Sequence, residues 1–154
     1  MRAAVLFAVV LLLGCAKEDD NCTPASEFYT FQMYKTLDTS GNRVSIVNGN
    51  EIVFDFKYNY QQCLGVVGAA VSRDIYFQVP VETGDEFSYT GETLSSANTL
   101  AYLVAPIYPD LRLRHLVQGS IHGKKAGSGK WHIIASLNTG TEIINIDREF
   151  LRTE

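Results

Sequence analysis

Lys130-Trp131-His132-Ile133-Ile134-Ala135-Ser136-Leu137 is followed, after Asn138-Thr139-Gly140, by Thr141-Glu142-Ile143-Ile144-Asn145-Ile146-Asp147-Arg148-Glu149-Phe150. Both runs alternate apolar and polar residues with a period of two, the spacing at which side chains of a strand return to the same face. The Asn-Thr-Gly between them has turn chemistry. Leu113 to Ile121, joined to Lys130 through the Gly123–Gly129 stretch, adds a third strand, so the last third reads as a three-stranded meander.

Working outward, the same period recurs. Phe28 to Tyr34 is rich in aromatic strand formers, and Asp38-Thr39-Ser40-Gly41-Asn42 closes it as a turn. Arg43 to Val47 and Glu51 to Tyr58 flank Asn48-Gly49-Asn50. Asn-Gly supplies the positive φ angles of a tight turn, and these two runs are therefore expected to form a hairpin. Cys63 to Val71 is apolar on both parities, as in a strand covered on both faces or relaxed by glycine. Ile75 to Val81 contains Pro80, which cannot donate to a ladder, so this strand is expected to lie at an edge or to end there. Gly84 to Tyr89 and Thr99 to Val104 continue the pattern, and Tyr108-Pro109-Asp110 is a further turn. No long window has helical spacing. About eight to ten strands at this spacing predict an all-β fold, an antiparallel β-sandwich, with a closed lipocalin-like β-barrel as the alternative.

The 154 residues are 46% hydrophobic and 19% charged, which fits one globular domain and excludes a disordered chain. Thirteen basic residues against 17 acidic give a net charge of -4, the wrong balance for a nucleic-acid binder. No nucleic-acid partner is therefore expected.

Residues 1–14 combine Arg2, an unbroken apolar run from Ala3 to Leu13 and the small Gly14 before Cys15. The pattern is that of a secretory signal, and the run is too short to span a bilayer, which takes about 20 residues. Leu12-Leu13-Gly14-Cys15 resembles the lipobox of bacterial lipoproteins. That resemblance implies cleavage before Cys15, acylation of its sulfur and amino group, and attachment to a membrane by lipid alone. The run Lys17-Glu18-Asp19-Asp20 is similar to the export signals of surface lipoproteins of Bacteroidota, which implies an outer-membrane, cell-surface location. A charged tether that merely stays solvated is the other reading of the run. The division that follows is a signal peptide over 1–14, a lipidated polar tether over 15–26 and one β-domain over 27–154.

With Cys15 lipidated, Cys22 and Cys63 remain, and an even pair in an oxidising compartment is expected to form a disulfide. Neither cysteine has a second Cys or a His at ligand spacing, so no metal site is expected from them. No cofactor is expected.

Chemistry-bearing patterns are weak. Gly123 to Lys130 is rich in Gly and Lys but lacks P-loop spacing, with Lys124 where a glycine belongs and Trp131 where Ser or Thr belongs. Ser120 and His122 sit two apart on a strand, about 7 Å, too far for direct activation of a nucleophile. His122, His132 and a carboxylate at Asp147 or Glu149 could meet only by tertiary coincidence, so no metal is assigned. Tyr58 and Tyr60, beside the amides Asn59, Gln61 and Gln62, can stack on sugar rings, and Trp131 is a second candidate platform; the other reading is Trp131 as a core anchor with the tyrosines half-buried and their hydroxyls in water. With no convergent acid, base or nucleophile, the expected function is a non-catalytic domain binding a glycan or protein. A structural subunit of an outer-membrane complex is the alternative, and a small hydrolase ranks third.

Overall fold

The computed structural model describes residues 22–40, 44–60, 62–63, 72–104, 113–140 and 142–154. The lipobox, the acidic run at 17–20, most of the strand expected over 63–71 and the turn at 108–110 lie outside them. Among the described residues the fold is all-β. Its strands are β1 (Cys22–Thr23), β2 (Ser26–Asp38), β3 (Ser45–Asn59), β4 (Gln62–Cys63), β5 (Ser72–Pro80), β6 (Glu86–Thr90), β7 (Leu100–Val104), β8 (Arg114–His115), β9 (Gly119–Gly127), β10 (Lys130–Asn138) and β11 (Ile143–Arg152). A 3-10 helix, Gly91–Ser95, follows β6. Nine strands form one curled sheet in the order β6-β9-β10-β11-β2-β3-β5-β7-β8, a half-barrel compatible with either a sandwich or a barrel description. The sheet is mixed because β11 and β2 pair in parallel, whereas its other ladders are antiparallel. β1 and β4 form a separate two-stranded ladder.

Phe54 stands at the centre of the core. It stacks on Phe77 at 4.6 Å and 9°, and meets Trp131 and Phe150 edge-on at 5.9 and 5.8 Å. Alternation explains the arrangement: Ile52, Phe54 and Phe56 on β3, Ile75, Phe77 and Val79 on β5, and Trp131, Ile133, Ala135 and Leu137 on β10 all turn one parity inward. Gly123 opposes Phe87 in the ladder, and a Cβ there would collide with the Phe87 ring. The missing side chain is what lets that ring reach the core.

The hairpin expected at Asn48-Gly49-Asn50 is not formed. β3 runs straight through these residues, and the chain reverses between Asp38 and Ser45 instead. Lys35 faces both Asn48 and Glu51, so the Asn-Gly-Asn residues belong to a bulge, which Tyr34 completes from the other strand with φ 58°. Gly49 is required for close approach, since a Cβ there would lie 2.7 Å from Cβ of Thr36. A bulge shifts which face subsequent residues occupy. Before it Phe31 and Met33 point into the main core; beyond it Leu37 joins Val53, Tyr76 and Leu100 in a second cluster on the outer face of the sheet. The side-chain amide oxygen of Gln78 accepts from the Leu37 amide at 2.9 Å and from Thr36 Oγ1 at 3.2 Å, holding the distal hairpin against β5.

Two other expectations shift. Leu113 to Ile121 is divided into β8 and β9 around Leu116–Gln118, with Gly119 at φ 126°. The Gly123–Gly129 stretch is mostly strand, since β9 continues to Gly127 and the turn is only Ser128-Gly129. Pro80 does end its strand, though β5 is flanked on both sides, by β3 and by β7, over Ser72–Tyr76.

Candidate functional site

The inward rows do not stay apolar to their ends. On β2 the row Met33, Phe31, Tyr29 continues into Glu27, which faces Tyr58, and on β11 Ile144, Ile146 and Phe150 are interrupted by Arg148 opposite Ile133. β2 and β11 pair only at Leu151–Thr30 and Arg152–Phe31. Upstream of that short seam a cavity of about 370 Å³ lies between them, with Glu27, Tyr29, Phe56, Asn145, Asp147 and Arg148 among its lining residues.

Tyr29 organises the cavity. Its ring stacks on Phe56 at 4.9 Å and 10° and meets Phe150 edge-on at 5.4 Å. Its hydroxyl donates to Glu27 Oε2 at 2.5 Å. The Arg148 guanidinium stands 5.9 Å from the ring centroid, within cation–π range. Burial, together with the Glu27 carboxylate, pushes the Tyr29 phenol up to about 12, so it stays a neutral donor at physiological pH. The site thus offers an aromatic stack, a carboxylate, a guanidinium and an amide in one recess.

A second cluster lies along the same inward row of β3. Tyr58 and Tyr60 meet edge to face at 4.9 Å and 87°, and the Arg73 guanidinium sits 5.6 Å from the Tyr60 ring centroid. Arg73 Nη1 pairs with Glu142 Oε1 at 2.6 Å. Burial raises the Tyr60 phenol, with Arg73 opposing the shift. The two tyrosines expected to act together are brought together.

Trp131 is not part of either cluster. It is only 4% exposed and packs against Phe54 and Phe87, which corrects its reading as a surface stacking platform. Alternation places it on the core parity of β10, with its indole face spent on neighbouring rings. His132 pairs with Asp147 at 2.7 Å, while His122 stands opposite Ile134 and Ser88. No group of three His, Cys, Asp or Glu able to hold a metal occurs among the described residues.

Sequence reasoning missed Glu27, Tyr29 and Arg148. A signal for Arg148 was present: a charged residue on the otherwise apolar parity of Ile144, Ile146 and Phe150. Glu27 carried none, because a polar residue at a strand start is ordinary. No protein-family model matches the chain, and neither a curated protein nor a solved structure matches it.

Proposed function

We propose that this is a lipid-anchored cell-envelope protein whose β-domain binds a polar ligand, a glycan in the first instance, in the cavity at the β2–β11 seam, without catalysis. The observation that carries the reading is the Tyr29–Phe56 stack flanked by Arg148 and Glu27. An apolar floor with a few fixed polar groups is the chemistry that recognises a sugar ring and its substituents. The anchor rests on the resemblance of Leu12 to Cys15 to a lipobox, and the surface location on Lys17 to Asp20. A Cys22–Cys63 disulfide belongs to the same reading, because an exported chain folds in an oxidising compartment.

The test is binding of the full chain in detergent to an array of neutral and acidic oligosaccharides. Selective binding that falls at least tenfold in Arg148→Ala and Tyr29→Phe, with thermal unfolding unchanged, is the expected outcome. Binding indifferent to both substitutions would remove the cavity from the proposal. Phe28 and Leu151, both about half exposed and flanking the seam on adjoining strands, favour the accessory-subunit reading as second choice. Cross-linking on intact cells to one envelope protein, with no oligosaccharide bound, would establish that reading in place of the first.

A further inference from the structure

The outer face of the sheet buries two carboxylates side by side. In register Asp55 faces Thr30 on β2 and Tyr76 on β5, while Lys57 faces Asp74. Asp55 and Asp74 are therefore diagonal neighbours across one strand pair, with Cα atoms about 7–8 Å apart, near enough for their carboxylates to converge.

Asp74 is 4% exposed. Its Oδ2 accepts from the Tyr76 hydroxyl at 3.2 Å and lies 3.9 Å from Lys57 Nζ. Oδ1 of Asp74 and Oδ1 of Asp55 are both buried without a hydrogen-bond partner. Native folds leave few such atoms, and here two come from acids that are diagonal neighbours across one strand pair. Among the described residues one ammonium, 3.9 Å from Asp74, stands against the two carboxylates. Asp55 is raised to about 6 by burial and then by the Asp74 charge, and Asp74 is raised by burial, as expected of acids under-supplied with positive charge.

We propose that Asp55 and Asp74 together bind a hard divalent cation, Ca²⁺ in class, through their Oδ1 atoms. Hard cations take oxygen ligands, and the Tyr76 hydroxyl beside Asp74 Oδ2 adds a further oxygen at this place. Asp55 is partly buried as a residue, with its Oδ1 enclosed. Lys57, whose side chain is 40% exposed, swings into water when the ion enters. The site shares no residue with the seam cavity, so it stands or falls separately from the proposed ligand site.

The experiment is Tb³⁺ luminescence, sensitised by Tyr76, with competition by Ca²⁺, and thermal unfolding of the full chain at pH 7.5 and constant ionic strength with EDTA or millimolar Ca²⁺. Wild type is expected to show sensitised emission displaced by Ca²⁺, and to unfold about 5 °C or more higher with the ion. Asp55→Asn and Asp74→Asn are each expected to lose affinity at least tenfold while unfolding at a higher temperature than wild type in EDTA, because a buried repulsion is removed. That opposite sign separates lost binding from lost folding. Absence of any ion-dependent shift in wild type, with stabilisation appearing only on acidification below pH 6, would overturn the proposal in favour of a proton. A response surviving in both Asn variants would overturn it equally.

Discussion

Cys22 and Cys63 are direct partners in the antiparallel ladder of β1 and β4. Residues directly opposite in such a ladder have Cα atoms about 4.5–5.5 Å apart, within the range a disulfide spans. Register thus sets side by side two cysteines that are 41 positions apart in sequence, the backbone arrangement that a bridge needs.

For the chain isolated from an oxidising compartment, intact mass is therefore expected to be two hydrogens below that of the reduced chain. Cys22→Ala and Cys63→Ala should each lower unfolding free energy by up to about 4 kcal/mol, the chain-entropy figure for a loop of this size. Free thiols in that material, measured by alkylation, would refute the bond.

Gly123→Ala is expected to destabilise by about 1–3 kcal/mol, the usual cost of overpacking, because the added methyl meets the Phe87 ring. Pairing it with Phe87→Leu should recover part of the loss. A denaturant double-mutant cycle measures the coupling, and strict additivity would show that the ring does not depend on the glycine.

Phe54→Ala is expected to cost about 3–5 kcal/mol, since the ring is fully buried and touches aromatic side chains from β2, β5, β6, β10 and β11. Urea unfolding would read this directly. A loss below about 1 kcal/mol would mean that the neighbouring rings close over the gap.

Stability in EDTA should fall as pH rises through about 6. Asp55 has a folded value near 6 against an ordinary 3.8, so its neutral form is favoured in the fold. The stabilisation is complete below the ordinary value and lost as pH rises through the folded one. Asp74 faces it with the same sign and Lys57 with the opposite one. By the linkage constant of 1.36 kcal/mol per unit, Asp55→Asn should stabilise by about 2–3 kcal/mol at pH 7.5 and by little at pH 4. Unfolding curves of both proteins at the two pH values decide it; an equal effect at both would mean that Asp55 titrates normally.

The all-β class and most strands were legible because period-two alternation is a local property: each of β3, β5, β10 and β11 carries its own buried row. Partnership was not local. Asn48-Gly49-Asn50 has the chemistry of a tight turn, yet β2 pairs along the whole of β3 and turns the same glycine into a bulge packed on Thr36. Trp131 could serve as a platform or as a core anchor, and it is the face shared with Ile133, Ala135 and Leu137 and closed by Phe54 and Phe87 that buries it. Tyr58 and Tyr60 were readable as a pair because they share a strand and a parity, whereas Tyr29 and Arg148 meet across the seam from β2 and β11, 119 positions apart.

The amino-acid sequence by itself determined the strand content, the alternation within most strands, the class of N-terminal signal it resembles and the cysteines available to pair. Only the tertiary structure decided the order of the strands, the parallel β2–β11 closure, the cavity beside it and the burial of Asp55 next to Asp74. The reason is physical: alternation is written residue by residue along one strand, but register, closure and the meeting of charges depend on which distant strand lies beside it.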